Sequence, residues 1–455
     1  MARTRDDGRN GESFGRVALL CVLVLGLLAC PGAEPVGPES PPNLVLVSLD
    51  TLRADHLGLY GYARDTSPNL DALADRSVVF EMALSHSSHT APAHRALFQA
   101  RTVSRTTQTH PVLAEVLAEA GYQTAAFTGA GKVSAKLGFD RGFQHFEEEI
   151  RGFGASFPRI ESWIEAEASP PFFLFLHTYD VHLPYDPPPP FDTLFSDDYE
   201  GPVAGPRTRE IVRKVLRYGE YEDYEGELEL TPEDRAEMVA LYDGGIRYTD
   251  RFIARLEAAL RARGVWDDTV VAIVSDHGEE FWDHDSLAHG LTLYQEVLHV
   301  PLILRLPGAF GADSAGRRVA EPVRLMDLAP TLLELAGVEP PDAFRGRSLV
   351  PLLDGEALPA AFFLGEIDQA TALVRHPWKL IRRPRLQHSE LYLLSEDPGE
   401  VDDLAEARPG RTRELEGELR RLMKAPDRGR VEPVNPARVD DDELREQLRA
   451  LGYVE

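Results

Sequence analysis

Cysteine is scarce in this chain, and its absence limits the chemistry that the chain can perform. The 455 residues include two cysteines, Cys21 and Cys30, both near the N-terminus. Beyond residue 30 the sequence therefore offers no disulfide, no thiolate metal ligand and no cysteine nucleophile. Positive charge is also in short supply, because 48 lysines and arginines stand against 75 acidic residues, a formal net charge of −27. Since nucleic-acid binding needs a basic surface, this balance argues against a nucleic-acid partner.

The N-terminal segment is apolar but lacks the length of a membrane-spanning helix. Four arginines precede an apolar run over 17–28, which is shorter than the roughly 20 residues that a spanning helix needs. The run ends at Leu27-Leu28-Ala29-Cys30. This pattern resembles a bacterial lipoprotein signal peptide over 1–29, with a linker over 30–42 and Cys30 as the lipidated first residue. The alternative is an uncleaved anchor, and in both cases we expect an exported protein tethered to a bacterial membrane, periplasmic or at the cell surface.

Five apolar runs without polar alternation predict strands that are buried on both faces of a parallel sheet. They lie at 43–50, 124–128, 172–176, 270–274 and 301–306. Helical patterns lie between them, at 111–120, 231–263 and 325–335. Strands that alternate with helices predict a doubly wound α/β domain with a mostly parallel sheet. We expect this domain over 43–355, with surface insertions near 187–190 and 218–230.

The spacing of the predicted elements changes near residue 356. Short strand patterns follow one another closely there, at 362–365, 371–374, 378–381 and 390–394. Two helical patterns come after them, at 411–423 and 440–451. This order predicts a small C-terminal subdomain over 356–455, in which an antiparallel sheet is followed by helices.

Two of the predicted strands end in carboxylates, which indicates a metal site. Asp50 ends the first run, and Ser275-Asp276-His277 follows the fourth. Ligands of open α/β sheets bind at the carboxyl ends of the strands. Two buried carboxylates repel each other unless a cation lies between them. The sequence therefore predicts one divalent metal ion held by Asp50, Asp276 and His277. For Asp50 alone, the alternative is a helix N-cap ahead of Thr51.

A candidate nucleophile lies in the stretch Thr90-Ala-Pro-Ala-His94-Arg95. The hydroxyl and the nearby proline place Thr90 at a helix N-terminus, where free N–H groups favour an oxyanion. A threonine hydroxyl is a poor nucleophile unless a metal or a base lowers its pKa. The metal predicted above would meet that need, so Thr90 is predicted to be both a metal ligand and the nucleophile. The alternative is a threonine that only caps the helix.

Several motifs resemble those of sulfatase-like hydrolases of the alkaline-phosphatase superfamily. Residues 43–62 resemble the family's opening motif, 66–74 its following helix, and 90–95 occupy the slot of its Cys/Ser-x-Pro-x-Arg signature. Further similarities occur in the family's order, at 177–185, 275–279, 289–294, 378–381 and 390–400. The resemblance covers nearly the whole chain beyond the signal segment. It implies the sulfatase fold, an anionic ester substrate, and the metal ligands and nucleophile named above.

The resemblance also implies roles for further residues. His182 and His289 match positions that contact the transferred anionic group or the leaving oxygen, so we expect them to be catalytic. Lys132 is similar in position to the substrate-binding lysine of sulfatases, although the residues around it depart from that pattern. His94 and Arg95 are candidates for orienting Thr90, the first as a catalytic residue and the second as a substrate-binding one. For Arg95 a solvent-facing position is the alternative.

The identity of the predicted metal stays open among Ca, Mn and Zn. A histidine ligand favours Zn or Mn, whereas the family's usual Ca prefers oxygen ligands. A second metal site formed by Asp180, His182 and His289 is an alternative to the single ion that we prefer.

One departure from the family pattern decides the expected mechanism. Sulfatases convert a cysteine or serine to formylglycine, but Thr90 carries a methyl on Cβ, so its oxidation would give a ketone. We therefore expect Thr90 to attack the sulfur or phosphorus of a sulfate or phosphate ester, borne by a glycan or a lipid. One alternative is a transferase that passes a phospho-group to a glycan or lipid. Another is a non-catalytic lipid-anchored binding protein, which Ala93 favours, because related threonine-type sequences commonly have serine there.

Overall fold

The computed structural model describes residues 40–196, 198–212, 214, 230–310, 315–424 and 447. The predicted signal segment 1–29, most of the linker, most of the insertion at 218–230 and nearly all of the helix at 440–451 lie outside the described residues. Among the helices that are described, none has the length and apolarity to cross a bilayer.

A nine-stranded sheet lies at the centre of the fold. Its strands are β1 (Asn43–Leu49), β2 (Val78–Leu84), β3 (Gln123–Thr128), β4 (His145–Glu148), β5 (Phe172–Thr178), β6 (Thr269–Val274), β9 (His299–Arg305), β10 (Arg317–Val319) and β11 (Val323–Arg324). They lie in the order β10-β2-β9-β6-β1-β5-β3-β4, with β11 also beside β2. Of these nine described strands, β9 is the one that runs antiparallel to its neighbours. The prediction of a mostly parallel sheet is therefore confirmed, and a two-residue hairpin pair, β7 (Glu280–Phe281) and β8 (Leu287–Ala288), lies outside it.

Helices cover both faces of this sheet, which explains why its strands are apolar throughout. Alternate residues of β1 point to opposite sides, Leu44 and Leu46 to one apolar cluster and Val45 and Val47 to another. The first cluster includes residues of the helices Thr90–Gln99, Leu113–Glu119 and Leu328–Leu335, with the short helix Val350–Leu353. The second includes residues of the helices Pro68–Ala74, Phe153–Ala166 and Pro232–Arg263. This is the predicted doubly wound architecture.

A second sheet follows near the C-terminus, as predicted. Its four antiparallel strands lie in chain order, as β12 (Phe363–Glu366), β13 (Thr371–Arg375), β14 (Trp378–Arg383) and β15 (His388–Leu393). The helix Pro409–Lys424 packs on one face through Leu415 and Leu419. The other face joins an apolar cluster with Leu84 and Leu298 of the first sheet region. The described residues on both sides of position 355 belong to one contact unit, and the division into two domains there stays a prediction.

Candidate active site

The register of three central strands brings the predicted metal ligands together. Ser48 of β1 pairs with Val274 of β6 on one side and with His177 of β5 on the other. Asp50 lies two residues beyond Ser48, and Asp276 lies two residues beyond Val274. Both carboxylates therefore emerge at the same edge of the sheet, where parallel strands end. Asp50, Asp276 and His277 are buried, and one donor atom from each lies within 4.8 Å of the others.

One oxygen of Asp50 is held by a histidine that the sequence did not single out. The Gly129 N–H donates to His177 Nδ1 at 3.1 Å, so the ring proton is on Nε2, which donates to Asp50 Oδ2 at 3.1 Å. The other oxygen, Oδ1, is buried and has no hydrogen-bond partner. Burial raises the pKa of Asp50 well above its usual range, and the neighbouring carboxylates of Asp276 and Glu279 raise it further.

In Asp276 and in His277, as in Asp50, one side-chain atom forms a hydrogen bond and another is available to bind a metal. Asp276 Oδ1 accepts a hydrogen bond from the Thr51 N–H at 3.3 Å, while buried Oδ2 has no hydrogen-bond partner. His277 Nδ1 donates to the Gly278 carbonyl at 2.9 Å, which leaves the lone pair on Nε2. Two unpartnered carboxylate oxygens beside an imidazole lone pair fit a divalent cation. Without a cation, these buried oxygens would have lost their hydrogen bonds to water and gained nothing in exchange.

The Thr90 hydroxyl lies at this cluster, as predicted. Thr90 is the first residue of the helix Thr90–Gln99, and His89 precedes it in an extended conformation. Its Oγ1 lies 3.3 Å from His277 Nε2, and the Thr90 hydroxyl lowers the pKa of Asp50 against the larger upward effect of burial. A hydroxyl at a helix N-terminus and beside candidate metal ligands is in the position that an activated nucleophile requires.

His94 contacts the backbone of Thr90, which indicates a positioning role. Its Nδ1 donates to the Thr90 carbonyl at 2.9 Å, and its Nε2 contacts Ser48 Oγ at 3.0 Å. The ring is fully buried, and Nδ1 lies 3.5 Å from Asp276 Oδ2. His94 therefore ties the first turn of the helix to β1 and to Asp276, and its direct participation in catalysis stays a prediction.

Two further histidines face the cluster from separate loops. The His289 ring lies 4.6 Å from the His277 ring and 4.9 Å from the His182 ring, measured between centroids. His182 Nδ1 donates to the Leu183 carbonyl at 2.6 Å, and His289 Nδ1 shares a hydrogen bond of 2.8 Å with Glu279 Oε1. Burial lowers the pKa of both imidazoles well below the usual value. Glu279, whose own pKa burial raises to about 8, is the partner that fixes His289.

The two cationic candidates, Lys132 and Arg95, influence each other electrostatically. Burial and the neighbouring Arg95 lower the pKa of Lys132 to about 8, and Lys132 in turn lowers the pKa of His289. The Arg95 guanidinium donates to the Leu137 carbonyl at 3.4 Å and lies 5.6 Å from the centroid of the Phe139 ring. Arg95 lines a neighbouring cavity, and the substrate-binding roles of Lys132 and Arg95 stay predictions.

Asp180 forms its hydrogen bonds with residues outside the cluster of candidate metal ligands. Its Oδ2 accepts hydrogen bonds from the Phe153 N–H at 2.8 Å and from Thr178 Oγ1 at 2.7 Å, so it holds the start of the helix Phe153–Ala166. These contacts favour the single-metal reading over a second site that would use Asp180.

His177 and Glu279 lie inside motifs that resemble those of the family, yet the sequence alone predicts no role for either residue. His177 directly follows the predicted strand 172–176, but its role depends on β5 lying next to β1, which no local pattern reveals. Glu279 is the last residue of the motif 275–279 and supports His289 from ten residues away. Carboxylate partners of functional histidines are common, so the pairing of a buried glutamate with a site histidine is the signal that would have found it.

The profile of the sulfatase family matches residues 42–338, and the profile of the N-sulphoglucosamine sulphohydrolase C-terminal region matches 289–426. The chain is 23% identical to the Delta 4,5-hexuronate-2-O-sulfatase of Bacteroides thetaiotaomicron, over 84% of this chain and 88% of that protein.

Two solved structures share the fold. The phosphonate monoester hydrolase of Agrobacterium radiobacter superposes with a TM-score of 0.67 at 22% identity, covering 84% of this chain and 95% of that one. A protein solved with its substrate D-glucosamine-2-N,6-O-disulfate gives a TM-score of 0.69 at 20% identity, covering 85% and 98%. Because the sulfatase profile spans well over half of the sequence, the chain belongs to the sulfatase family and is a sulfatase-like ester hydrolase.

Proposed function

We propose that this protein hydrolyses sulfate or phosphate esters of glycans in a metal-dependent reaction with Thr90 as the nucleophile. The observation that carries the proposal is the Thr90 hydroxyl at a helix N-terminus, 3.3 Å from His277 Nε2 and beside two unpartnered carboxylate oxygens. Relatives named Delta 4,5-hexuronate-2-O-sulfatase and N-acetylglucosamine-6-O-sulfatase support a sulfated glycan. The fold shared with a phosphonate monoester hydrolase keeps a phosphorus ester as the second candidate.

The residues of the site account for both halves of the proposed reaction. Thr90, having lost its proton to solvent, forms a bond from Oγ1 to sulfur or phosphorus while the bond to the leaving oxygen breaks. His182 or His289 gives a proton to that oxygen. The same imidazole then takes a proton from a water molecule that attacks sulfur or phosphorus and releases Thr90. An anionic ester beside these histidines raises their lowered pKa and so favours the protonated form that the first step needs.

Asp50, Asp276, His277 and Thr90 would hold the divalent cation. When bound, it would supply positive charge that lowers the pKa of the Thr90 hydroxyl and offsets the negative charge of the ester oxygens.

A panel of substrates tests the proposed function. Purified protein is assayed on aryl sulfate, phosphate monoester, phosphodiester and phosphonate monoester substrates, with and without a chelator. We expect turnover of at least one of them, and we expect the chelator to abolish it. Turnover that needs an acceptor alcohol would favour the phospho-group transferase, and no turnover together with no bound metal would favour the binding protein.

Lys132 is expected to make substrate affinity dependent on pH. Burial and Arg95 lower the pKa of Lys132 to about 8. Its side chain is therefore protonated and positively charged below that pH, and neutral above it. The KM for an anionic ester should therefore rise as the pH increases through about 8. Lys132→Arg keeps its charge over this range and should flatten the rise. If KM for Lys132→Arg climbs with pH as it does for the unaltered protein, another group controls the affinity.

Replacing the histidine that protonates the leaving group is expected to lower turnover most for esters with poor leaving groups. His289→Asn or His182→Asn should reduce turnover of an alkyl ester by about 10²-fold or more, the size typical of general acid catalysis. A 4-nitrophenyl ester, whose leaving group needs no proton, should lose much less. Parallel rate measurements on both esters check this, and equal losses for both esters in both variants would exclude either histidine as the acid.

Export and lipid anchoring through Cys30 are a separate part of the proposal, supported by the sequence pattern at 17–30. We expect intact-mass analysis of protein extracted from membranes with detergent to show a chain that begins at Cys30 and carries lipid. Cys30→Ser should leave the chain without lipid. A mature chain with an unmodified Cys30 would contradict the anchor.

A further inference from the structure

A cavity of about 290 Å³ lies beside the helix that begins with Thr90. Its wall combines aromatic rings with cations, and its lining includes Arg95, Phe98, Lys136, Phe139 and Arg141. The volume is close to the lower end of the range for small-molecule sites, which are mostly apolar with a few placed polar groups. An aromatic wall with cations suits a ring-shaped ligand that carries negative charge.

Arg95, one of the cations in this wall, has no carboxylate partner among the described residues. Its guanidinium is half-buried and contacts the Leu137 carbonyl and the Phe139 ring. Arg141 differs, because Glu115 holds its guanidinium with two hydrogen bonds, of 3.1 and 2.8 Å. A half-buried guanidinium without a counter-ion pays a desolvation cost, which is why burial lowers the pKa of Arg95. An anionic group in the cavity would offset that cost.

The cavity and the reaction centre share two structural elements. Thr90 and Arg95 lie on one helix, about 7.5 Å apart along its axis by the helical rise of 1.5 Å per residue. Lys132 is followed in the same loop by Leu137 and Phe139, which line the cavity. The Arg95 guanidinium contacts the Leu137 carbonyl in that loop. The helix and the loop therefore connect the reaction centre to the cavity wall.

We propose that this cavity is a substrate subsite in which Arg95 binds a second anionic group, a sulfate or carboxylate on the sugar next to the one that is cleaved. The inference rests on the proposed function, because it assigns the preferred substrate as a glycan with negative charges on adjacent sugars. The aromatic rings pack against the apolar face of that sugar, and the Arg95 guanidinium pairs with its anion in the charge-assisted manner that arginine favours.

Equilibrium binding tests the subsite without turnover. Two disaccharides are titrated by calorimetry into protein that carries Thr90→Val, one with a sulfate on each sugar and one with a sulfate on the cleaved sugar alone. We expect the disulfated ligand to bind roughly tenfold or more tightly, as a charge-assisted contact allows. Adding Arg95→Gln should remove this preference. Adding Arg413→Gln, which removes an exposed arginine from the helix Pro409–Lys424, should preserve it.

Each outcome either supports the subsite or overturns it. No preference for the disulfated ligand, no measurable binding of either ligand, or a preference that survives Arg95→Gln would overturn it. Turnover of the ester panel is measured separately on protein with Thr90 intact. An Arg95-dependent preference without any turnover would contradict the hydrolase proposal and support the subsite. Turnover without that preference would support the hydrolase proposal and overturn the subsite.

Discussion

Thr90→Val is expected to reduce kcat/KM by at least about 10³-fold, as removal of a catalytic nucleophile does in other enzymes. Valine keeps the shape of threonine and replaces the hydroxyl with a methyl, so the helix N-terminus and the packing around it should stay intact. The hydroxyl itself lies 3.3 Å from His277 Nε2, at the cluster of candidate metal ligands. Steady-state rates on the best ester of the panel check this prediction.

Thr90→Ser is the matched control, because it retains the hydroxyl and removes the methyl. It should keep far more activity than Thr90→Val. Rapid quenching of the unaltered protein during turnover should also show Thr90 carrying one sulfo or phospho group by peptide mass analysis. If Thr90→Val turned over substrate at the unaltered rate, water rather than Thr90 would be the attacking group.

Loss of a metal ligand is the second change with a large expected effect. Asp276→Asn should lower kcat/KM by about 10³-fold or more, since the charge that stabilises the reacting oxygens would be lost with the cation. Asparagine is nearly isosteric with aspartate, so the Thr51 N–H can still donate to its side-chain oxygen. Activity measured across a titration of Ca, Mn and Zn checks the prediction and identifies the preferred ion.

Asp50→Asn is expected to change two properties of the protein, the pH dependence of its stability without metal and its stabilisation by added metal. Burial and nearby carboxylates raise the pKa of Asp50, so the metal-free folded state holds this proton more tightly than the unfolded state. Metal-free protein should therefore lose stability as the pH rises from the usual aspartate pKa through the raised one. Asp50→Asn should remove that loss while it abolishes the stabilisation by added metal. Thermal unfolding with and without metal measures both effects, and a variant still stabilised by metal would contradict the role of Asp50.

Much of the fold could be predicted because its strongest patterns are local. The long helix Pro232–Arg263 was predicted to within one residue, since Thr231 caps its start and Gly264 ends it in a left-handed conformation. Strand β2 was missed, because exposed Glu81 interrupts its apolar run and the pairing with β9 shifts register between Phe80 and Ala83. An irregular strand of this kind is recognisable only from its neighbours.

The site divides in the same way between local and long-range information. Asp50, Asp276 and Thr90 could be found because each follows a strand end or begins a helix, positions that a local pattern marks. The contact of His177 with Asp50 depends on strand order, and the packing of Arg95 against Phe139 depends on how a loop folds over a helix. These contacts form between residues more than forty positions apart, so sequence spacing does not specify them.

Elemental analysis of the purified protein tests the central claim most directly. We predict one divalent metal ion per chain in the unaltered protein, none in Asp276→Asn, and one in Asp180→Asn, which removes a partly buried carboxylate that holds the start of a helix instead. Protein that contains no metal and gains none on titration, or Asp276→Asn that retains a full equivalent, would contradict it.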